Sequence, residues 1–124
     1  MPTDFDRWLA EQFAETGTFT ALLVMLRTAE PQVTPVCSSY VNVIGDEIEW
    51  DEMTILLQGA GVAWDAVAFF VENADDGGAL TSVEANRRLK DLVEAIEMDR
   101  LHLNCGRLFD RLGRRLQIEE VSPS

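Results

Sequence analysis

The densest run of reactive side chains in the chain is Asp46, Glu47, Glu49, Asp51 and Glu52, gathered around Trp50. Read as extended backbone, Glu47, Glu49 and Asp51 fall on one face, because side chains alternate along a strand. Carboxylates at that spacing could hold a divalent cation, or pair as general acid and base. They could also receive the cations of a basic partner protein, with Trp50, if exposed, as an aromatic anchor. A run of charge is usually a solvated face, and docking is the use expected of this one. A second group is His102 and Cys105, three residues apart. As a thiol–imidazole pair they would serve a small nucleophilic enzyme, with Arg100 and Arg107 nearby as mild activators of the thiol. As metal ligands they fall short of a tetrahedral zinc site, since the chain holds one His and two Cys, and carboxylates or a second subunit would have to complete the set.

Asn73 to Glu84, NADDGGALTSVE, resembles the twelve-residue calcium loop of EF-hands. Asn73 falls at its first position, Asp75 at its third, Gly78 at the sixth where a glycine is expected, Leu80 at the eighth and Glu84 at the twelfth. The resemblance implies calcium held by Asn73, Asp75 and Glu84, and helices on both sides of the loop. The sequence departs from the pattern at Gly77, which offers no side-chain oxygen. The same residues also make sense without an ion: Asp-Asp-Gly-Gly makes a turn, and Thr81 with Glu84 makes a helix cap. Other chemistries lack their parts. Neither GxxxxGK[ST] nor GxGxxG occurs, and Ser38 and Ser39 have no Gly-x-Ser-x-Gly context.

The helix that must carry Glu84 is the best specified element. Thr81 stands three residues before Glu84, with Leu80 and Ala85 at the staple positions. Ala85, Leu89, Leu92, Val93 and Ile96 then recur at intervals of three and four, one apolar stripe over a helix ending near Asp99. Glu84 with Arg88, Arg87 with Asp91, and Lys90 with Glu94 are spaced to pair on the polar face.

Phe5, Trp8, Leu9 and Phe13 predict a first helix over about 4–16, capped by Thr3 or Asp4 and stopped by Gly17. FTALLVMLRT (19–28) fits a buried strand better than a buried helix, and WDAVAFFVEN (64–73) fits either. EPQVTP reads as a loop. YVNVIGDEIEW (40–50) reads as a hairpin turning at Gly45-Asp46, with Glu47 and Glu49 on one face and Ile48 and Trp50 on the other. A short helix follows from Asp51 to the glycines at 59 and 61. RLHLN (100–104) suits a short strand. GRLFDRLGRRLQIEEV suits a closing hairpin about a type I turn at Asp110 to Gly113. These elements predict a single α+β domain over 1–124, with residues 1–3 and 122–124 frayed. Its sheet would be mixed or antiparallel, with two hairpins, covered by about three helices. Helical readings of 19–28 and 64–73 would make the fold mostly α instead.

Composition narrows the function classes. The hydrophobic fraction of 47% and charged fraction of 26% are those of a globular protein, and no apolar run spans a bilayer. MPTDFDRW lacks the regions of a signal peptide, so a cytoplasmic protein with free thiols at Cys37 and Cys105 is expected. The net charge is −12. Residues 1–86 carry 15 acidic and 2 basic side chains, and residues 87–124 carry 7 and 8. Such a surface repels nucleic-acid phosphates and anionic lipid and attracts basic proteins. The expected function is a regulator, inhibitor or adaptor that docks a basic protein surface without a cofactor. Homodimerisation is open, calcium binding through 73–84 is the alternative, and an enzyme using Cys105 or His102 is the third reading.

Overall fold

From Phe19 to Leu26 the chain is apolar apart from Thr20, and a strand of that composition needs cover on both faces. In the structure, a computed structural model that describes residues 3–28, 33–45, 48–75 and 77–116, this strand lies inside a five-stranded sheet. The elements are α1 (Asp4–Thr16), β1 (Phe19–Arg27), β2 (Thr34–Val43), α2 (Trp50–Gln58), β3 (Ala66–Glu72) and α3 (Ser82–Met98). A 3-10 helix (Arg100–Cys105), β4 (Arg107–Asp110) and β5 (Arg115–Leu116) follow. The strand order is β2-β1-β3-β4-β5, and every neighbouring pair is antiparallel. The fold is α+β. Both segments open to a helical reading, 19–28 and 64–73, contain strands.

Each face of the sheet has its own core. On one, Phe5 and Leu9 of α1 and Trp50, Met53 and Leu57 of α2 pack with Leu23, Met25, Phe69 and Phe109. Phe5 sits among four aromatic rings at centroid distances of 5.0–5.8 Å. On the other, the stripe of α3, Leu89, Leu92 and Ile96, joins Leu103 over Leu22, Val24, Phe70 and Leu108. Thr20 is the buried polar exception, and it is satisfied twice. Its hydroxyl donates to Asn42 Oδ1 at 2.9 Å and accepts from the Leu80 N–H at 2.8 Å, pinning the approach to α3 against β1 and β2.

Caps set the helix starts. Thr3 closes a full capping box with Asp6, so this residue is fixed rather than frayed, and Gly17 stops α1 at φ +72°. Thr81 accepts the Glu84 N–H at 3.3 Å, while the Glu84 carboxylate turns to arginines instead of completing the box. Glu84 pairs with Arg87 and Arg88. The expected Arg87–Asp91 and Lys90–Glu94 pairs do not form among the described residues.

Three expectations about secondary-structure elements are corrected as well. The hairpin over 40–50 has only its first arm: Tyr40 to Val43 ends β2, whose partner is β1, and Trp50 opens α2 instead of closing a strand. Trp50 is drawn there because its indole enters the aromatic core and its backbone N–H donates to Asp6 Oδ1 at 2.8 Å. Thr34 and Pro35 belong to β2 rather than to a loop. RLHLN forms the 3-10 helix, because the Asp99 carboxylate caps the Leu101 N–H and Leu103 is drawn into the core. The closing hairpin forms as expected, with Gly113 N–H donating to the Asp110 carbonyl at 3.0 Å. Its continuation beyond Leu116, the turn residue Asp46 and the expected frayed end at 122–124 lie outside the described residues.

Candidate docking surface

The acidic run does not sit on a strand. Asp46 and Glu47 lie outside the described residues. Glu49 is the extended residue before α2, and Asp51 and Glu52 occupy its first turn, where the helix dipole favours negative charge. All three are exposed, and none has an ion pair among the described residues. Trp50 is 4% exposed and its Nε1 donates to the Arg111 carbonyl at 2.9 Å, so it is a core residue and not a contact anchor. Alternation placed Trp50 opposite Glu49. The helix start accomplishes the same separation with a different geometry.

The residues aligned with a calcium loop have other partners. β3 stands where the resemblance implies an entering helix. The Asn73 amide donates to the Thr18 carbonyl at 3.1 Å and the Gly78 carbonyl at 3.4 Å, closing the loop on itself and on the α1–β1 turn. Asp75 is exposed. Glu84 is engaged by Arg88, which also reaches Glu72 at 2.7 Å. Hydrogen bonds from Arg88 and then Arg87 hold the Glu84 carboxyl below its usual range. The same network raises Arg88, through Glu84 first and Glu72 second. Among the described residues no group of three or more His, Cys, Asp or Glu side chains is placed to hold a metal ion. Cys105 Sγ and His102 Nδ1 are 4.0 Å apart on the 3-10 helix, and the imidazole stacks on Phe70 at 6.3 Å. Both cysteines are free thiols, with Cys37 on β2.

What the structure adds is a groove of about 400 Å³ between β2 and α2. Cys37, Ser39 and Val41 line its strand wall, and Met53, Leu56 and Leu57 its helix wall. Met53 and Leu57 face the core, but Leu56 is 58% exposed and Ile55 is 69% exposed. In helical phase Glu52 stands one turn before Leu56, and Asp51 one turn before Ile55. An apolar strip therefore runs along α2 with carboxylates at its start. Two signals for it were present in the sequence: the uncharged run TPVCSSYVNV, and Ile55-Leu56-Leu57, an apolar run too broad for one helix face to bury.

A second cleft, of about 370 Å³, separates α1 from β4 and β5. Asp4, Glu11 and Glu15 face Arg107 and Arg115 across it, and its charges largely offset one another. No described helix is long and apolar enough to cross a membrane. Compared with protein-family models, with curated proteins and with solved structures, the chain finds no match in any of the three.

Proposed function

We propose that the protein is a cytoplasmic docking module, a regulator, inhibitor or adaptor that binds a basic protein partner through the outer face of α2. The observation carrying this reading is the pairing of exposed Ile55 and Leu56 on one short helix with exposed Asp51 and Glu52 in its first turn and exposed Glu49 just before it. Apolar centre and charged rim is the anatomy of an interface patch. The negative charge steers a cationic partner into encounter, and the apolar strip slows its departure. Among the described residues Glu49, Asp51 and Glu52 form no ion pair, whereas Glu84 and Asp110 each pair with an arginine.

The test compares two acidic helices. A lysine-rich peptide is the probe, and its association rate is measured across ionic strength. Replacing Glu49, Asp51 and Glu52 by Ser should slow association and flatten its salt dependence. Replacing Asp91, Glu94 and Glu97 on α3, which are also exposed, should change it much less. Equal effects from the two sets would mean diffuse charge without a docking face, and would contradict the proposal.

A further inference from the structure

Natural sheet edges are protected by short strands, by charge, by proline or by bulges. β2 is an edge strand of ten residues with no charged side chain. Its protection is confined to one end: Pro35, and a bulge at Val36, since Met25 pairs with Cys37 while Leu26 pairs with Pro35. From Cys37 to Val43 the register against β1 is regular. Those seven residues present about 20–24 Å of pairing edge at ~3.4 Å per residue. Among the described residues no strand takes it. The groove to α2 opens along the same stretch, so a strand added here would find an apolar wall on one face as well as backbone partners.

Building on the docking reading, we infer that this edge receives an extended segment of the partner as a sixth strand. Side chains of the segment that point towards α2 are apolar and fill the space beside Leu56, and lysine or arginine flanks them and meets Glu52 and Asp51. Main-chain hydrogen bonds supply affinity in strand addition, and the pockets for alternate side chains supply selectivity. A second copy of the chain fits the edge less well. A two-fold axis at β2 would bring together two α2 helices that each start with Asp51 and Glu52, in chains of net charge −12.

The probe is a short peptide of alternating valine and serine with paired lysines at both ends, followed by amide NMR and by its dissociation constant. Two further versions carry N-methyl groups, one at the valines and one at the serines. Only alternate residues of an added strand donate to the edge. One methylated version should therefore lose about tenfold or more in affinity, worth ~1.4 kcal/mol, while the other keeps the parent's affinity. Amides of 37–43 should shift on binding, and Leu56→Ser, an exposed change that leaves the fold intact, should weaken binding of the parent. If both methylated versions bind like the parent, strand addition is wrong although basic docking stands. If no lysine peptide binds at all, both readings fall. A dimer in the absence of peptide, dissociated by Ser39→Lys, would show that a second copy occupies the edge and would overturn the inference.

Discussion

The two edges of the sheet are protected in opposite ways. At β5 the edge carries a charge at Arg115, and the turn before it is tied down by a single carboxylate. Asp110 accepts from the Leu112 N–H at 2.8 Å, the Arg114 N–H at 3.0 Å and the Arg114 guanidinium at 2.8 Å. Arg111 lies over the Trp64 ring at 5.4 Å. At β2 the edge is ten residues long, without charge, beside an exposed apolar strip. The lopsided charge of the sequence thus becomes a spatial arrangement. Arginines gather at the closed edge, and unneutralised carboxylates start the helix beside the open one. Part of that lack of charge serves the cores, since Val36, Cys37 and Val41 pack against one and Tyr40 against the other; the exposed positions Ser38, Ser39 and Asn42 are uncharged as well.

Four substitutions break or sharpen this contrast, in order of expected effect. Trp50→Ala removes the ring that joins the aromatic core to the β4–β5 turn, and should cost about 3–5 kcal/mol in denaturant unfolding. A loss below ~1 kcal/mol would return Trp50 to the role of a surface contact. Gly113→Ala is next, at about 2 kcal/mol: the residue has φ +76°, and an added Cβ would fall 2.9 Å from Trp50 Cγ and Thr3 Cβ. Hydrogen exchange should show faster opening of β4 and β5 with β2 little changed.

Asp110→Asn should cost about 1–2 kcal/mol at neutral pH, since charge-assisted hydrogen bonds at the turn are weakened. For this carboxyl the largest single influence is burial, which acts upward, but the Arg114 and Leu112 N–H groups and the Arg114 guanidinium together outweigh it and hold the pKa below its usual value. A depressed native pKa stabilises the fold above the unfolded value near ~3.9. That contribution is lost as pH falls through the native value, so the variant and the parent should converge in strong acid. A stability difference constant from pH 7 into strong acid would contradict the assignment. The smallest change in stability is expected from Ser39→Lys, within about 0.5 kcal/mol on an exposed edge position. Binding of a basic peptide should nevertheless weaken by about tenfold, through repulsion at the open edge.

Elements with a strong local signal were legible from sequence. The stripe of α3, the cap of α1, the apolar run of β1 and the Asp110 to Gly113 turn each depend on residues within a few positions of one another. Failures came where distant contacts decided. Nothing near Trp50 in sequence reveals that Asp6 would accept its N–H and that Phe5 and Trp64 would surround its ring. Period-two alternation from Glu47 to Trp50 therefore looked like a strand. The 3-10 helix at 100–105 was hidden because its cap, Asp99, also terminates α3. For the candidate site the acids Glu49, Asp51 and Glu52 were legible and the anchor was not. The apolar part of the surface is Ile55 and Leu56, whose exposure follows from which face of α2 meets β1, a tertiary fact. The calcium-loop pattern of Asn73, Asp75 and Glu84 matched residues that serve a turn and an arginine pair.

The most direct measurement is an amide chemical-shift titration of the protein with the lysine-flanked valine–serine peptide. Residues 37–43 of β2 and 51–58 of α2 should move together and saturate, while Arg107 to Leu116 at the closed edge stay in place. Shifts centred on β4 and β5, or spread evenly over every acidic face, would contradict the assignment of the open edge as the docking surface.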